Sequence, residues 1–110
     1  MSDTILHITT EAGWGQAQQD GQLISPSLAD EGFIHCSTQA QVEATANRIF
    51  RGSGDLLLLE VDPARLTAPL KWERATDVGD DFPHIYGPLN VDAVIGTRPL
   101  PEGPDGYALT

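Results

Sequence analysis

Leu56-Leu57-Leu58-Leu59-Glu60-Val61 is apolar on both of its alternating faces, apart from Glu60. A strand with one wet face alternates apolar and polar residues, so this run reads as a central strand buried on two sides. Downstream, Asp62-Pro63 turns the chain and Leu70-Lys71-Trp72-Glu73 is a short alternating strand. Asp77 to Asp81 reads as a polar loop, Val91-Asp92-Ala93-Val94-Ile95 as another strand, and Tyr107-Ala108-Leu109 as a last edge strand. Pro99, Pro101, Gly103 and Pro104 mark an exposed, irregular connection before it.

Upstream, Thr4-Ile5-Leu6-His7-Ile8 is a first strand, rich in apolar and β-branched residues. Thr9 and Thr10 supply capping hydroxyls for a helix that runs to about Asp20 and stops at Gly21, with Trp14 and Ala17 facing inward. Gly13 and Gly15 weaken that helix, since glycine costs about 1 kcal/mol relative to alanine. Leu23-Ile24 is a short extended piece, Ser27 to Glu31 a helical turn before Gly32, and Phe33-Ile34-His35-Cys36 a strand. Thr38 and Gln41 have capping-box spacing, and Val42, Ala46, Ile49 and Phe50 form the apolar face of the helix that follows. Arg51 sits in its last turn, and Gly52-Ser53-Gly54 closes it. The order is strand, helix, strand, helix, then mostly strands. It predicts one α+β domain over residues 1–110, with two main helices on a small mixed or antiparallel β core.

The chain carries 16 acidic against 6 basic residues, a formal charge of −10. Repulsion on that scale opposes nucleic acid and anionic lipid, and the basic residues form no run. Met1-Ser2-Asp3-Thr4 has an acid where a secretion signal has basic residues, and no apolar run is long enough to span a membrane. Cys36 is the only cysteine, so no internal disulfide forms. A cytoplasmic protein is expected. Oligomeric state has no signature.

The three histidines, His7, His35 and His84, all lie in or beside strands. His7 precedes Ile8-Thr9-Thr10 and His35 precedes Cys36-Ser37-Thr38, two strand-to-helix junctions of one kind. Strands ending at one edge would bring these imidazoles together beside helix N-termini, where they can donate hydrogen bonds, transfer protons or bind metal. A lone strand histidine is most often a satisfied structural residue; two at matching junctions point to a shared site. His84, in Phe82-Pro83-His84-Ile85-Tyr86-Gly87-Pro88, sits in a rigid segment with two prolines that can also serve only to fix a turn.

Cys36 points away from its neighbour His35 on a strand and reads as a small buried hydrophobe. Ser37 shares the face of His35 and either lines the site or caps the next helix. Glu73 is a carboxylate that can reach the site, Trp14 and Trp72 read as core, and Tyr86 places a ring in the core with its hydroxyl at a rim. A three-histidine zinc site is chemically possible, but no short His-x-His or His-x-x-x-His pair prepares one, and no glycine-rich nucleotide loop is present.

The blocks Ile5-Leu6-His7-Ile8-Thr9, Glu31-Gly32-Phe33-Ile34-His35-Cys36-Ser37-Thr38 and Phe82-Pro83-His84-Ile85-Tyr86-Gly87-Pro88-Leu89 resemble a bacterial family catalogued as domain of unknown function 952. The resemblance covers nearly the whole chain and brings no established activity. It implies a fold similar to the ADP-ribosyltransferase superfamily, which includes RNA 2′-phosphotransferases. There, a first-strand His or Arg and a second-strand Tyr, His or Ser grip the nicotinamide half of NAD. His7 matches the first position and His35 the second, with Ser37 leading into the next helix. The third position, often a glutamate, falls near His84 or Tyr86, and no glutamate stands there.

The resemblance thus implies NAD or an ADP-ribose-like nucleotide as ligand. His7 and His35 would contact ribose or diphosphate, and His84, Ser37, Thr9 and Tyr86 would complete the pocket. Catalysis, if present, would be transfer or hydrolysis at the ribosyl carbon bearing nicotinamide. The alternative is a non-catalytic module that holds a small ligand or a protein, which the missing glutamate favours. An RNA substrate conflicts with the charge of −10.

Overall fold

A computed structural model describes residues 4–109, so the reading of Met1, Ser2 and Asp3 lies outside the described residues. The apolar run Leu56–Val61 is β4, the middle strand of an antiparallel sheet in the order β1–β4–β8, with β1 at Ile5–Thr9 and β8 at Val94–Leu100. Its two faces feed two cores. Leu57, Leu59 and Val61 pack with Ile5, Ala17, Ile34, Cys36 and Ile85, whereas Leu56 and Leu58 pack with Leu6, Ile8, Val42, Ala46 and Leu100. Glu60 escapes by lying opposite Gly96, where a methyl group would meet its Oε1 at 2.5 Å, and beside Arg98.

The second antiparallel sheet has the order β3–β6–β5, with β3 at Ile34–His35, β5 at Leu70–Ala75 and β6 at Asp80–Ile85. The two-proline segment, for which fixing a turn was the alternative reading, is therefore largely a middle strand. Pro83 is tolerated because pairing with β3 covers only Ile34 and His35. Beyond them Cys36 donates to the Pro83 carbonyl, and proline has no N–H to return. The two sheets meet where Leu6 and Ser37 exchange backbone hydrogen bonds, both of 2.8 Å.

α1 (Glu11–Asp20) forms as read: Thr10 accepts from the Gly13 amide, and Gly21 closes the helix at φ 80°, a conformation that favours glycine. Gly13 belongs there because a methyl group would meet the Thr9 hydroxyl at 2.5 Å. β2 (Gln22–Leu23) pairs with β7 (Leu89–Asn90), and α2 (Pro26–Glu31) supplies the expected turn. α3 (Val42–Ile49) buries Val42 and Ala46, but Ile49 is exposed and Arg51 lies beyond the helix end. Half of the Thr38–Gln41 box forms, with the Gln41 side chain accepting from the Thr38 amide at 3.0 Å.

Three further expectations are corrected. Val91–Ala93 is a 3₁₀ turn, and the strand starts at Val94 and runs through Pro99 to Leu100, which an edge strand permits. The irregular connection holds a small hairpin, β9 (Glu102–Gly103) with β10 (Gly106–Tyr107), and the buried Tyr107 hydroxyl shares its one proton between the Phe50 and Gly54 carbonyls. Trp72 is half exposed, because β5 is an edge strand with no further strand beside it. Among the described residues no helix is long and apolar enough to cross a membrane.

Leu59 is fully buried in the shared core. Leu59→Ala is expected to lower stability by about 2–5 kcal/mol. The check is a lowered urea midpoint at unchanged denaturant slope; an unchanged midpoint would remove β4 from the centre of the fold.

Candidate functional site

The backbone places all three histidines at the seam between the sheets. His35 lies directly opposite His84 in the β3–β6 pairing, and His7 on β1 donates from Nδ1 to the His35 carbonyl at 2.8 Å. Strand alternation sends Ile34, Cys36 and Ile85 to the core and Phe33, His35, His84 and Tyr86 to the opposite face. Cys36 accordingly behaves as a small hydrophobe, with burial pushing its thiol well above the ordinary value.

His7 is nearly enclosed, and burial holds its imidazole below the ordinary value of 6.5. A neutral ring that donates from Nδ1 carries its lone pair on Nε2. That nitrogen has no partner and is not sealed in among the described residues, so His7 presents an acceptor. His35 is exposed, and its Nε2 donates to Glu31 at 2.6 Å. Gly32, at φ 87°, ends α2 and folds β3 back beside that carboxylate. His84 donates from Nδ1 to Glu73 at 2.8 Å and stacks on Phe33, with ring centroids 4.1 Å apart and planes 17° from parallel. Glu73 also accepts from the Tyr86 hydroxyl. The bonds from Tyr86 and then His84 hold its carboxyl below the ordinary value, and the bond to Glu73 raises the Tyr86 phenol.

An open, mostly apolar cavity of about 1180 Å³ gathers His7, Thr9, His35, Ser37 and His84 on its walls. Thr10 and Gly13 at the start of α1 line it too, with Ile24, Thr45, Arg48 and Ile49. Tyr86 is not among the lining residues: it stands behind His84, its ring beneath the Lys71 ammonium at 4.7 Å. Ser37 is buried and donates to the Thr45 hydroxyl at 3.3 Å instead of capping α3. Glu73 reaches the site only through His84. Glu60 lies apart, beside Arg98. Among the described residues no three His, Cys, Asp or Glu side chains converge as metal ligands.

Sequence reasoning missed Arg48, Phe33 and Glu31. Arg48 was visible as one of three residues, Thr45, Arg48 and Ile49, at the i, i+3, i+4 spacing of a single helix face. Glu31 was signalled by Gly32, since an αL stop returns the chain beside the helix end. Phe33 shares the parity of His35, but nothing local shows that it stacks on His84.

A family model described as a protein of unknown function (DUF952) matches residues 8–97. The crystal structure of protein CC0527 from Caulobacter crescentus is similar, at 37% identity over 94% of this chain and 91% of that one, with a TM-score of 0.84. A double mutant of that protein aligns over the same shares at 36% identity and TM-score 0.84. Its solution NMR structure aligns at 37% identity over 94% and 90%, with a TM-score of 0.79. No curated protein matches the chain.

A histidine held neutral by burial makes stability depend on pH. The unfolded chain takes up a proton that native His7 refuses, so stability is intact above about 6.5 and falls as pH drops below it. His7→Gln keeps a donor for the His35 carbonyl and removes the titration. Between about pH 7.5 and about pH 5.5, the urea midpoint is expected to fall more in the wild type than in the variant. Equal falls would mean that His7 is not held neutral.

Proposed function

The chain belongs to the DUF952 family, and on that premise we propose that its histidine-lined cavity binds NAD or an ADP-ribose-like nucleotide. The observation that carries this reading is the convergence of His7, Thr9, His35, Ser37 and His84, taken from two sheets, on one cavity of about 1180 Å³. Ligand pockets usually measure about 300–1,000 Å³, so a molecule of dinucleotide size is accommodated. The mixed α+β fold, with helices on antiparallel sheets, is the coarse class that the resemblance implies.

The polarity of each group sorts the ligand's parts. A bare His7 Nε2 accepts a hydrogen bond, so it suits a ribose hydroxyl and not a phosphate oxygen. Arg48 is the one cation among the described lining residues and suits the diphosphate, which the N-terminus of α1 also favours. Ile24, Ile49 and the apolar walls suit a flat base. If the site is catalytic, the reaction class is transfer or hydrolysis at the ribosyl carbon bearing nicotinamide. Positioning and hydrogen bonds would stabilise the charge that develops there.

A second reading, a non-catalytic module for a small ligand or a protein, draws on the acids. The lining carboxylates are Asp20, Glu31 and Asp77, and none comes from the segment around His84 where the resemblance expects a glutamate. The two readings separate in one tube. In an amide NMR titration, NAD and ADP-ribose are expected to shift residues around His7, His35 and His84, and released nicotinamide makes the protein an enzyme. His35→Ala should weaken binding about tenfold, roughly 1.4 kcal/mol, with the fold intact because the side chain is exposed. The absence of shifts at millimolar nucleotide would end this reading.

A further inference from the structure

We propose that Glu73 and His84 form a proton-transfer pair, in which Glu73 positions the imidazole and His84 Nε2 takes a proton from a hydroxyl group in the cavity. The inference deepens the nucleotide reading and rests on it for the electrophile. The pair itself rests on side-chain geometry.

Glu73 on β5 lies opposite Phe82, and His84 lies opposite Lys71, so the two functional side chains are diagonal neighbours on one face of the sheet. Glu73 Oε1 accepts from His84 Nδ1 at 2.8 Å and from the Tyr86 hydroxyl. Two donors on one carboxylate leave it little rotational freedom. Phe33 covers a face of the imidazole, and the His35 ring meets it edge-on at 5.2 Å between centroids. The ring is therefore held in orientation, with Nδ1 committed to Glu73. Its Nε2 has no partner among the described residues and is not sealed in, and His84 lines the cavity.

A carboxylate that accepts from Nδ1 sets the tautomer with a lone pair on Nε2 and stabilises the imidazolium once a proton arrives. The step balances without an outside reagent. Water or an alcohol gives its proton to Nε2 as its oxygen bonds to the ribosyl carbon, and the bond from that carbon to nicotinamide breaks. The electron pair leaves with nicotinamide, and the proton stays on His84 beside Glu73 until solvent takes it. Glu73 thereby does through a histidine part of what a glutamate in the cavity would do directly. A tie that merely joins β5 to β6 would need no open Nε2.

The test reads His84 itself. In ¹⁵N-correlated spectra of the ligand-free wild type, His84 is expected as the Nδ1–H tautomer, and Glu73→Gln should shift it toward a mixture. Diethyl pyrocarbonate, mapped by mass spectrometry at about pH 8, should modify His84 at least about threefold more slowly in Glu73→Gln, with His35 as the internal control. Tyr86→Phe, which removes one of the two donors on Glu73, should slow the reaction less and serves if Glu73→Gln does not fold. An Nε2–H tautomer in the wild type, or unchanged rates in both variants, would overturn the pair. NAD should protect His84 from the reagent. Unprotected His84 with the tautomer and rate effects intact would overturn the nucleotide as substrate and leave the pair standing.

Discussion

Two backbone hydrogen bonds between Leu6 and Ser37 hold the rest of the site in place. They join an edge of one three-stranded sheet to the chain leaving the other, and so bring His7 of the first sheet to the His35–His84 pair of the second. One residue to one side is His7; two residues to the other is His35, whose carbonyl the His7 ring then bonds. Directly across β3–β6 stands His84. The apolar core between the sheets supplies the favourable free energy of burial, and this polar stitch sets the register in which that burial occurs.

The site's electrostatics follow from that seam. A histidine pressed against the core loses hydration and stays neutral, so His7 is an acceptor in a chain whose surface is strongly acidic. His35, on the wet face of a two-residue strand, keeps a carboxylate partner within reach, and His84 keeps another. Three rings of identical chemistry thus differ in role through burial and partner alone. The acidic total speaks against long nucleic-acid substrates, while one arginine in the cavity wall leaves room for a small anion.

Glycine and proline decide how closely these parts approach. Gly13 lets the start of α1 lie against the Thr9 hydroxyl, and Gly96 gives Glu60 a way out of a buried strand. Pro83 sits in a middle strand because its missing N–H falls where the ladder with β3 has already ended. At that proline only the pairing with β3 ends, while the pairing with β5 runs on from His84 to Asp80.

From the sequence by itself came the two-sided burial of Leu56 to Val61, the capped and glycine-stopped α1, the opposite faces of His35 and Cys36, and the histidines as candidates. Each of these depends on near neighbours in the chain, through alternation, capping or backbone conformation. Only the tertiary structure decided that Trp72 lies at an exposed edge, that Ile49 faces the cavity mouth, that Ser37 bonds Thr45, and that Glu73 and Tyr86 stand behind His84. Those outcomes depend on which strand borders which and where each sheet ends. Contacts between residues 8 to 39 positions apart obey sheet register, which no local pattern encodes.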